Sequence, residues 1–300
     1  MAASASASVF EGRTVLVTGV GGPTGRAAAT WLSWREVRVV GSDVRLVLSP
    51  SWEARRVPAV SDPAYLHALL ALVDDERPTL LLPTASEELP VIARLHDALR
   101  ELGCALAMGA PPGVDVAADK LLTAEVLSWA GIPVPRSLPS PTTPSDLVAV
   151  LGLPLLAKPR IGRGGRGVSV FHDAAELFTT PQSDLVWQEF IPGEEYDVNL
   201  FVEPGGEVTA SVVLRKVALR DGETGNALGV ERVHHPAVRD VAVRAARALE
   251  LAGPVDVDVR LRRDGTPAIL EVNARLGANS LSATEVLEAL DDAWRAGKCA

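Results

Sequence analysis

The chain has 300 residues and a net charge of −9, from 29 Lys plus Arg against 38 Asp plus Glu. That acidic balance argues against nucleic acid as a partner, because affinity for a phosphate backbone rests on clustered cations. A content of 47% hydrophobic and 22% charged residues describes a globular chain long enough for two or three domains, and excludes a disordered one. No apolar run reaches the roughly eighteen residues that cross a bilayer, so no membrane partner is expected. Residues 1–9 lack the basic start and apolar stretch of a signal peptide and read as a disordered tail. Cys104 and Cys299 form no motif, which fits reduced thiols in a cytoplasmic protein.

Residues 10–111 alternate strand and helix. A strand from Thr14 runs into a glycine turn (Gly19, Gly22, Gly25) and a helix, and a second strand spans 37–43. A helix over 64–75, a strand over 79–83 and a helix over 87–102 follow. This alternation predicts a parallel sheet covered by helices, a Rossmann-like α/β domain. The glycine spacing and Asp43 would also suit a dinucleotide, so an NAD(P)-dependent short-chain dehydrogenase or epimerase competes here. Such an enzyme needs a tyrosine with a lysine four residues on. Tyr65 is followed at that offset by Leu69 and Tyr196 by Leu200, so the pair is missing.

Residues 112–134 read as a linker, begun by Ala110-Pro-Pro-Gly113, and a helix over 120–129. A small mixed domain is expected over 135–186 and a larger one over 187–300. The larger one would hold an antiparallel sheet from 186 to 272, a helix over 238–251 packed on it, and a last helix over 282–295. The fold class is thus α/β followed by α+β. His234-His235 has no accompanying cysteine or third histidine and reads as surface loop.

Two stretches carry chemistry. Residues 254–261 and 268–272 form strands around an Asp264-Gly265 turn, a strong hairpin signal. Alternation puts Glu271 and Asn273 on one face, and Asp258 reaches it from the partner strand. Carboxylates converging there call for a cation, and hard oxygen ligands suit Mg²⁺ shared with phosphates. Upstream, Lys158 ends an apolar run just before a glycine-rich loop, 162–167, that also holds Arg163 and Arg166. Without Cβ atoms, backbone N–H groups can approach a polyphosphate closely. Only four of the cationic residues are lysine (Lys120, Lys158, Lys216, Lys298), so a lysine kept beside such a loop points to a need for a compact ammonium.

Taken in order, Ala118-Asp119-Lys120, Lys158 with its loop, the segment 187–199, and Asp258, Glu271, Asn273 and Arg275 resemble the ATP-grasp superfamily of carboxylate-activating ligases. The span from Asp258 to Glu271 is similar to that of D-alanine–D-alanine ligases. The Glu-Val-Asn-Ala-Arg ending is similar to biotin carboxylase and carbamoyl-phosphate synthetase. The resemblance implies a Rossmann-like domain before a two-lobed ATP-grasp module, with a small lid over 135–186 and a large lobe over 187–300. It implies ATP and Mg²⁺ as cofactors, with Mn²⁺ as an alternative metal. Lys120 and Lys158 would neutralise phosphates, and Gly164, Gly165 and Gly167 would close over them. Gln188, Glu189 and Ile191 would form the hinge, whose backbone C=O and N–H groups read adenine, and Glu195 would accept from ribose hydroxyls. Asp258, Glu271 and Asn273 would hold the metal. Arg275 would face the transferring phosphoryl group. Arg215 and Lys216 would reach substrate or γ-phosphate, a solvated strand end being the other reading of that pair.

The implied reaction activates a carboxylate as an acyl phosphate and joins it to an amine, an amino acid or small amine, releasing ADP and phosphate. Loading of an amino acid onto a carrier-protein thiol is the alternative, and a homodimer is compatible with it. Two features depart from the common pattern. Many relatives have Asp where Asn199 stands, and little sequence follows the last helix, so the pocket must come from the domains present or be shared with a partner.

Overall fold

The computed structural model describes residues 13–35, 37–162, 164–180 and 183–299. The expected tail over 1–9 and Arg163 lie outside the described residues. The N-terminal part contains β1 (Thr14–Thr18), α1 (Pro23–Trp34), β2 (Arg38–Asp43), β3 (Glu53–Arg56), α2 (Tyr65–Glu76), β4 (Leu80–Leu82), α3 (Leu89–Ile92), α4 (His96–Glu101) and β5 (Ala105–Leu106). Its five strands lie in the order β3-β2-β1-β4-β5, and every ladder is parallel. β1 and β4 are fully buried, as strands covered on both faces must be. The glycine turn has a packing explanation: a Cβ at Gly25 would lie 2.5 Å from the Gly19 carbonyl oxygen, so α1 could not approach β1 with any larger residue there.

Three differences from the sequence reading concern this half. β3 and β5 were not anticipated, being too short and, in β3, too polar to show alternation. The expected helix over 87–102 is split into α3 and α4, with 3-10 turns at Ser86–Glu88 and Ala93–Leu95. The expected linker at 110–113 is instead the start of α5 (Pro111–Ala118). Proline there occupies the first helical turn, where its missing N–H costs nothing, so a Pro-Pro-Gly string can open a helix as well as break one.

α6 (Lys120–Trp129) leads to β6 (Ser137–Pro139), α7 (Pro144–Leu151), β7 (Leu155–Pro159), β8 (Ser169–Phe171) and β9 (Leu185–Glu189). These strands form a second sheet, β6-β9-β7-β8, over a small core of Leu147, Leu151, Leu155, Phe171, Leu177 and Trp187. Residues 187–189, expected in the larger lobe, therefore pair within the smaller sheet.

The third sheet comprises β10 (Glu195–Val202), β11 (Val208–Leu219), β12 (Ala227–Val233), then α8 (Pro236–Ala248), β13 (Gly253–Leu261), β14 (Pro267–Asn273) and α9 (Thr284–Arg295). Its order is β12-β11-β10-β13-β14, antiparallel throughout. Strict alternation divides its faces. Tyr196, Val198 and Leu200 of β10 and Val255, Val257 and Val259 of β13 join the core with Val238, Val241 and Ala242 of α8. The intervening residues Glu195, Asp197, Asn199, Asp256, Asp258 and Arg260 therefore point to the opposite face. That face is polar because of its period, and the site is built on it. His235 caps α8 by accepting from Val238 N–H at 3.4 Å, a structural use for the histidine pair.

Candidate active site

The register of β13 and β14 sets Asp258 directly opposite Glu271, and Asp256 opposite Asn273. β10 adds Glu195 opposite Arg260, Asp197 opposite Asp258, and Asn199 opposite Asp256. Like charges facing across a ladder repel, so cations must enter. Lys216 of β11 supplies one, its Nζ donating to Glu195 Oε1 at 2.5 Å and to Asp258 Oδ1 at 2.6 Å. Burial alone would lower the pKa of Lys216, but Asp258, Glu195 and Asp197 outweigh it and hold the amine well above its usual range. Lys120, the first residue of α6, reaches Glu271 Oε1 at 3.2 Å and donates to the Gly162 carbonyl at 2.8 Å. Its position is set by Asp119, which caps α6 through Leu121 and Leu122 N–H and pairs with Arg160 at 2.5 Å.

A β-bulge lies between Asp258 and Val259, where β14 contributes one extra residue, Leu270. An extra residue of this kind is left out of the ladder. Lys158, reaching across from β7, donates to the Leu270 carbonyl at 3.0 Å. The smaller sheet is thereby tied to the carboxylate strand of the larger one. Burial pushes the Lys158 amine down to about 8, opposed mainly by Glu271. An amine with a folded-state pKa below its unfolded value destabilises the fold fully below about 8, and that cost is relieved as pH rises toward 10.5. Phosphate oxygens beside it would restore the proton. Nucleotide binding at about pH 9 is therefore expected to take up a proton, and affinity to fall above about 8. Calorimetry in buffers of different ionisation heat reads this directly, and a buffer-independent enthalpy at that pH would remove Lys158 from phosphate contact.

Farther along the same face is a second polar group, around Asp256, of which the sequence assigned a site role only to Arg275. Arg275 donates through Nη1 to Asp256 Oδ2 at 3.1 Å and through Nε to Ser86 Oγ at 3.1 Å. It bridges the third sheet and the turn after β4. Burial and the repulsion of Asp197 raise the Asp256 carboxyl well above the usual range, with Arg275 opposing. Asn199 donates to Asp197 Oδ1 at 2.6 Å, and Asn279 to Asp197 Oδ2 at 2.7 Å. Arg260 is also new. It donates to Glu195 Oε2 at 2.5 Å, to the Ile191 carbonyl at 3.0 Å and to the Glu223 carbonyl at 2.6 Å. Asp197, Asn199, Asp256 and Arg260 stand at alternate positions of β10 and β13, so strand alternation alone could have found them.

One expected site residue is placed otherwise, and two hinge residues turn their side chains elsewhere. Arg215 follows Leu214 on β11 and takes the opposite face from Lys216, pairing with Glu194 and Glu231 at 3.0 and 2.7 Å. It lies on the solvated side of β11 and is not part of the cluster. The Gln188 amide is buried and donates to Ser137 Oγ at 2.8 Å. The Glu189 carboxylate pairs with Arg136 and Arg262, at 2.7 and 2.6 Å, while its N–H donates to the Arg136 carbonyl. These side chains fasten β9, and the expected hinge role rests on the backbone of the segment. The hinge segment borders a cleft of about 610 Å³, with Phe190, Ile191, Leu153 and Arg263 on its walls. Near Glu271 and Asn273 only about 20 Å³ is open, beside Ser86, Leu89 and Gly162, room for a water-sized group. In the glycine loop, Gly165 packs against the β11–β12 turn: a Cβ would lie 2.7 Å from Gly225 Cα, at a φ of +71°. Gly164 lies beside Asn226 in the same turn, and Gly167 packs on Pro159.

The donor set fits Mg²⁺. Asp258 and Glu271 are 24% and 20% exposed, each carrying one oxygen paired with a lysine and one other. The Asn273 amide donates to Asp256 Oδ2 at 3.4 Å, which leaves its oxygen as an acceptor. Among the described residues no three His, Cys, Asp or Glu side chains are grouped to hold a metal alone. Two carboxylates and an amide need oxygens from elsewhere, which is how Mg²⁺ binds with substrate phosphates. The competing dinucleotide reading loses its acid: Asp43 Oδ2 accepts the Gly21 N–H at 2.8 Å and so closes on its own glycine turn. No helix among the described residues is long and apolar enough to cross a membrane.

The chain belongs to the ATP-grasp family: the family model for the ATP-grasp domain matches residues 117–279, more than half of it. A D-alanine–D-alanine ligase from Gloeobacter violaceus is 30% identical over 190 residues, covering 56% of this chain and 62% of the relative. The L-amino acid ligase from Bacillus licheniformis superposes with a TM-score of 0.70 at 19% identity, covering 91% of this chain and 70% of that one. The D-alanine–D-alanine ligase from Bacillus anthracis complexed with ATP gives 0.66 at 16% identity, covering 95% and 97%. The chain spans less than two thirds of the length of the curated relatives it matches first. The structural likenesses, at these identities, establish the two-part fold of a parallel-sheet domain and antiparallel lobes.

Proposed function

We propose that this protein is an ATP-dependent ligase that activates a carboxylate as an acyl phosphate and joins it to an amine, with release of ADP and phosphate. The observation that carries the reading is the facing pair Asp258–Glu271, met by lysines from separate elements, Lys216 and Lys120, with Lys158 beside it. Lysines that now neutralise carboxylates can turn to phosphates when Mg²⁺ takes their place. Asp258, Glu271 and Asn273 would hold the metal, which when bound screens phosphate charge. Glu195, half-buried next to Arg260, would accept from ribose hydroxyls, and the backbone from Glu189 to Ile191 would border adenine. Arg275 would meet the substrate carboxylate and the transferring phosphoryl group, held in place by Asp256 and Ser86. Phosphoryl transfer asks little else of the protein than placement and neutralisation of charge. A phosphate beside Glu271 would compete with the Gly162 carbonyl for the Lys120 ammonium.

A small amine is the simpler acceptor, since no observation here favours a carrier-protein thiol. Mg-ATP should raise the melting temperature clearly more than NAD(P)⁺ at equal concentration, because a ligand that binds only the folded state stabilises it. A shift with NAD(P)⁺ and none with Mg-ATP would overturn the ligase reading. Screening amino acids for ADP release, with and without a second amine, would then identify the substrates.

A further inference from the structure

Lys120 is held at both ends by the chain that leaves β7. Its backbone N–H donates to the Arg160 carbonyl at 3.0 Å, and its Nζ donates to the Gly162 carbonyl at 2.8 Å. Arg160 in turn reaches back to the start of α6. Its Nη2 donates to Asp119 Oδ2 at 2.5 Å, and its Nε lies 3.1 and 3.2 Å from Asp119 Oδ2 and Oδ1. Asp119 Oδ1 also accepts the Leu121 and Leu122 N–H groups, at 2.9 and 3.3 Å. On its other side Arg160 N–H donates to the Asp184 carbonyl at 3.0 Å, just before β9. Burial alone would raise the Asp119 carboxyl, but Arg160 and the two N–H groups outweigh it and hold the group below its usual range.

These bonds join two bodies that do not share a core. Leu127 of α6 packs in the large core with Ile269 and Val272 of β14, whereas β7 and β9 enclose Leu155, Ala157 and Trp187 in a core of their own. Apolar packing therefore does not fix how Lys120 stands against the end of β7, and polar contacts must. A lysine ammonium is a point charge on a flexible stem, so its place depends on what holds its backbone and its tip. The two-pronged Arg160–Asp119 contact is the rigid member of this set, because a planar guanidinium fixes direction as well as distance.

We propose that Asp119 and Arg160 are positioning residues for phosphate binding: their pair sets the Lys120 ammonium beside Glu271, where the nucleotide's phosphates would meet it. The role rests on the ligase reading, which gives Lys120 its phosphate. Position and field make opposite predictions here. Asp119 is an anion next to a phosphate-binding lysine, so its charge by itself repels a polyphosphate. Removing that charge would tighten nucleotide binding if only the field mattered. It loosens binding if the carboxylate acts by holding Arg160, and through it Lys120.

The test is direct binding by the full chain, so it does not depend on turnover. Mg-ATP is compared with adenosine, which has no phosphate for Lys120 to meet, and amide hydrogen exchange is followed in the free protein. Asp119→Asn keeps an oxygen for the α6 cap, since Asn caps as well as Asp, and removes the charge that grips Arg160. It should weaken Mg-ATP about tenfold, the size of one charge-assisted hydrogen bond. Adenosine affinity should stay unchanged, and the Lys120 amide should exchange faster. Arg160→Lys keeps the charge but loses the fork; it should weaken Mg-ATP severalfold, and it carries the test if Asp119→Asn fails to fold. In the double variant the losses should not add, because each change breaks the same pair. Mg-ATP binding that is unchanged or tighter in these variants, with a wild type that binds it, would overturn the positioning role alone. Equal losses for adenosine and Mg-ATP would overturn it too, since they would mark a general disturbance of the site. A wild type that binds no Mg-ATP would overturn the ligase reading, and this role with it.

Discussion

Glu271→Gln should lower ADP release by roughly two orders of magnitude, as expected when a main charge is lost from a phosphoryl transfer centre, while the fold survives. Glu271 faces Asp258 in register and is only partly buried, and its one lysine contact is Lys120 at 3.2 Å. Gln keeps the shape and hydrogen-bonding reach of the side chain and removes the charge a divalent cation needs. The fold should survive because losing the Glu271 charge also relieves its repulsion with the facing Asp258, and Lys120 keeps its bond to the Gly162 carbonyl. The measurement is a coupled ADP assay on protein whose melting temperature matches wild type. Turnover near the wild-type rate would mean that this carboxylate pair holds no metal.

How far these residues could be read without coordinates depended on whether a local pattern fixed them. The hairpin of β13 and β14 was legible because a Xaa-Asp-Gly turn and period-two alternation set both register and face. The alternation that exposed Asp258 also runs through Asp256 and Arg260, and through Glu195, Asp197 and Asn199. The inner cluster around Asp256 was therefore written in the sequence but not read from it. Its pairing with Arg275 and Ser86 could not be, since Ser86 and Arg275 come together only when the first and third sheets pack. Arg215 shows the converse error. Adjacent strand residues point to opposite faces, so Arg215 and Lys216 could not both join the cluster, and Lys216 is the one that does.

The sheet a strand joins is hard to read where its pairing partners are distant in sequence. β9 is followed after a short turn by β10, yet it pairs with β6 and β7, so hydrophobic pattern alone placed the boundary a few residues too early. Pro111 and Pro112 misled in another way, because proline marks both linkers and first helical turns. The bulge at Leu270 shifts register by one residue, and no residue type there announces it. Its consequence is functional, since the carbonyl it frees anchors Lys158 beside the carboxylates.

Lys216→Met should show the largest loss of stability, and Mg²⁺ should restore part of it. The Lys216 side chain is 7% exposed and is held between Glu195 at 2.5 Å and Asp258 at 2.6 Å. Removing one member of a buried charge group leaves the others uncompensated, at a cost of about 3–5 kcal/mol. Asp197, facing Asp258 across β10 and β13, adds to the repulsion. Because the carboxylates raise the pKa of Lys216 despite its burial, its contribution is fully present at every pH below the ordinary lysine value and is lost only above it. The deficit in the variant should therefore be flat across neutral pH. Methionine has about the length of the lysine stem, so a deficit of this size would come from charge and not from a cavity. A divalent cation seated at Asp258 and Glu271 would neutralise the same carboxylates. Denaturant unfolding with and without Mg²⁺ should then show a larger gain in Lys216→Met than in wild type, where the lysine already occupies that place. A variant as stable as wild type, or one equally insensitive to Mg²⁺, would mean that Lys216 is not the counter-ion of a cation site.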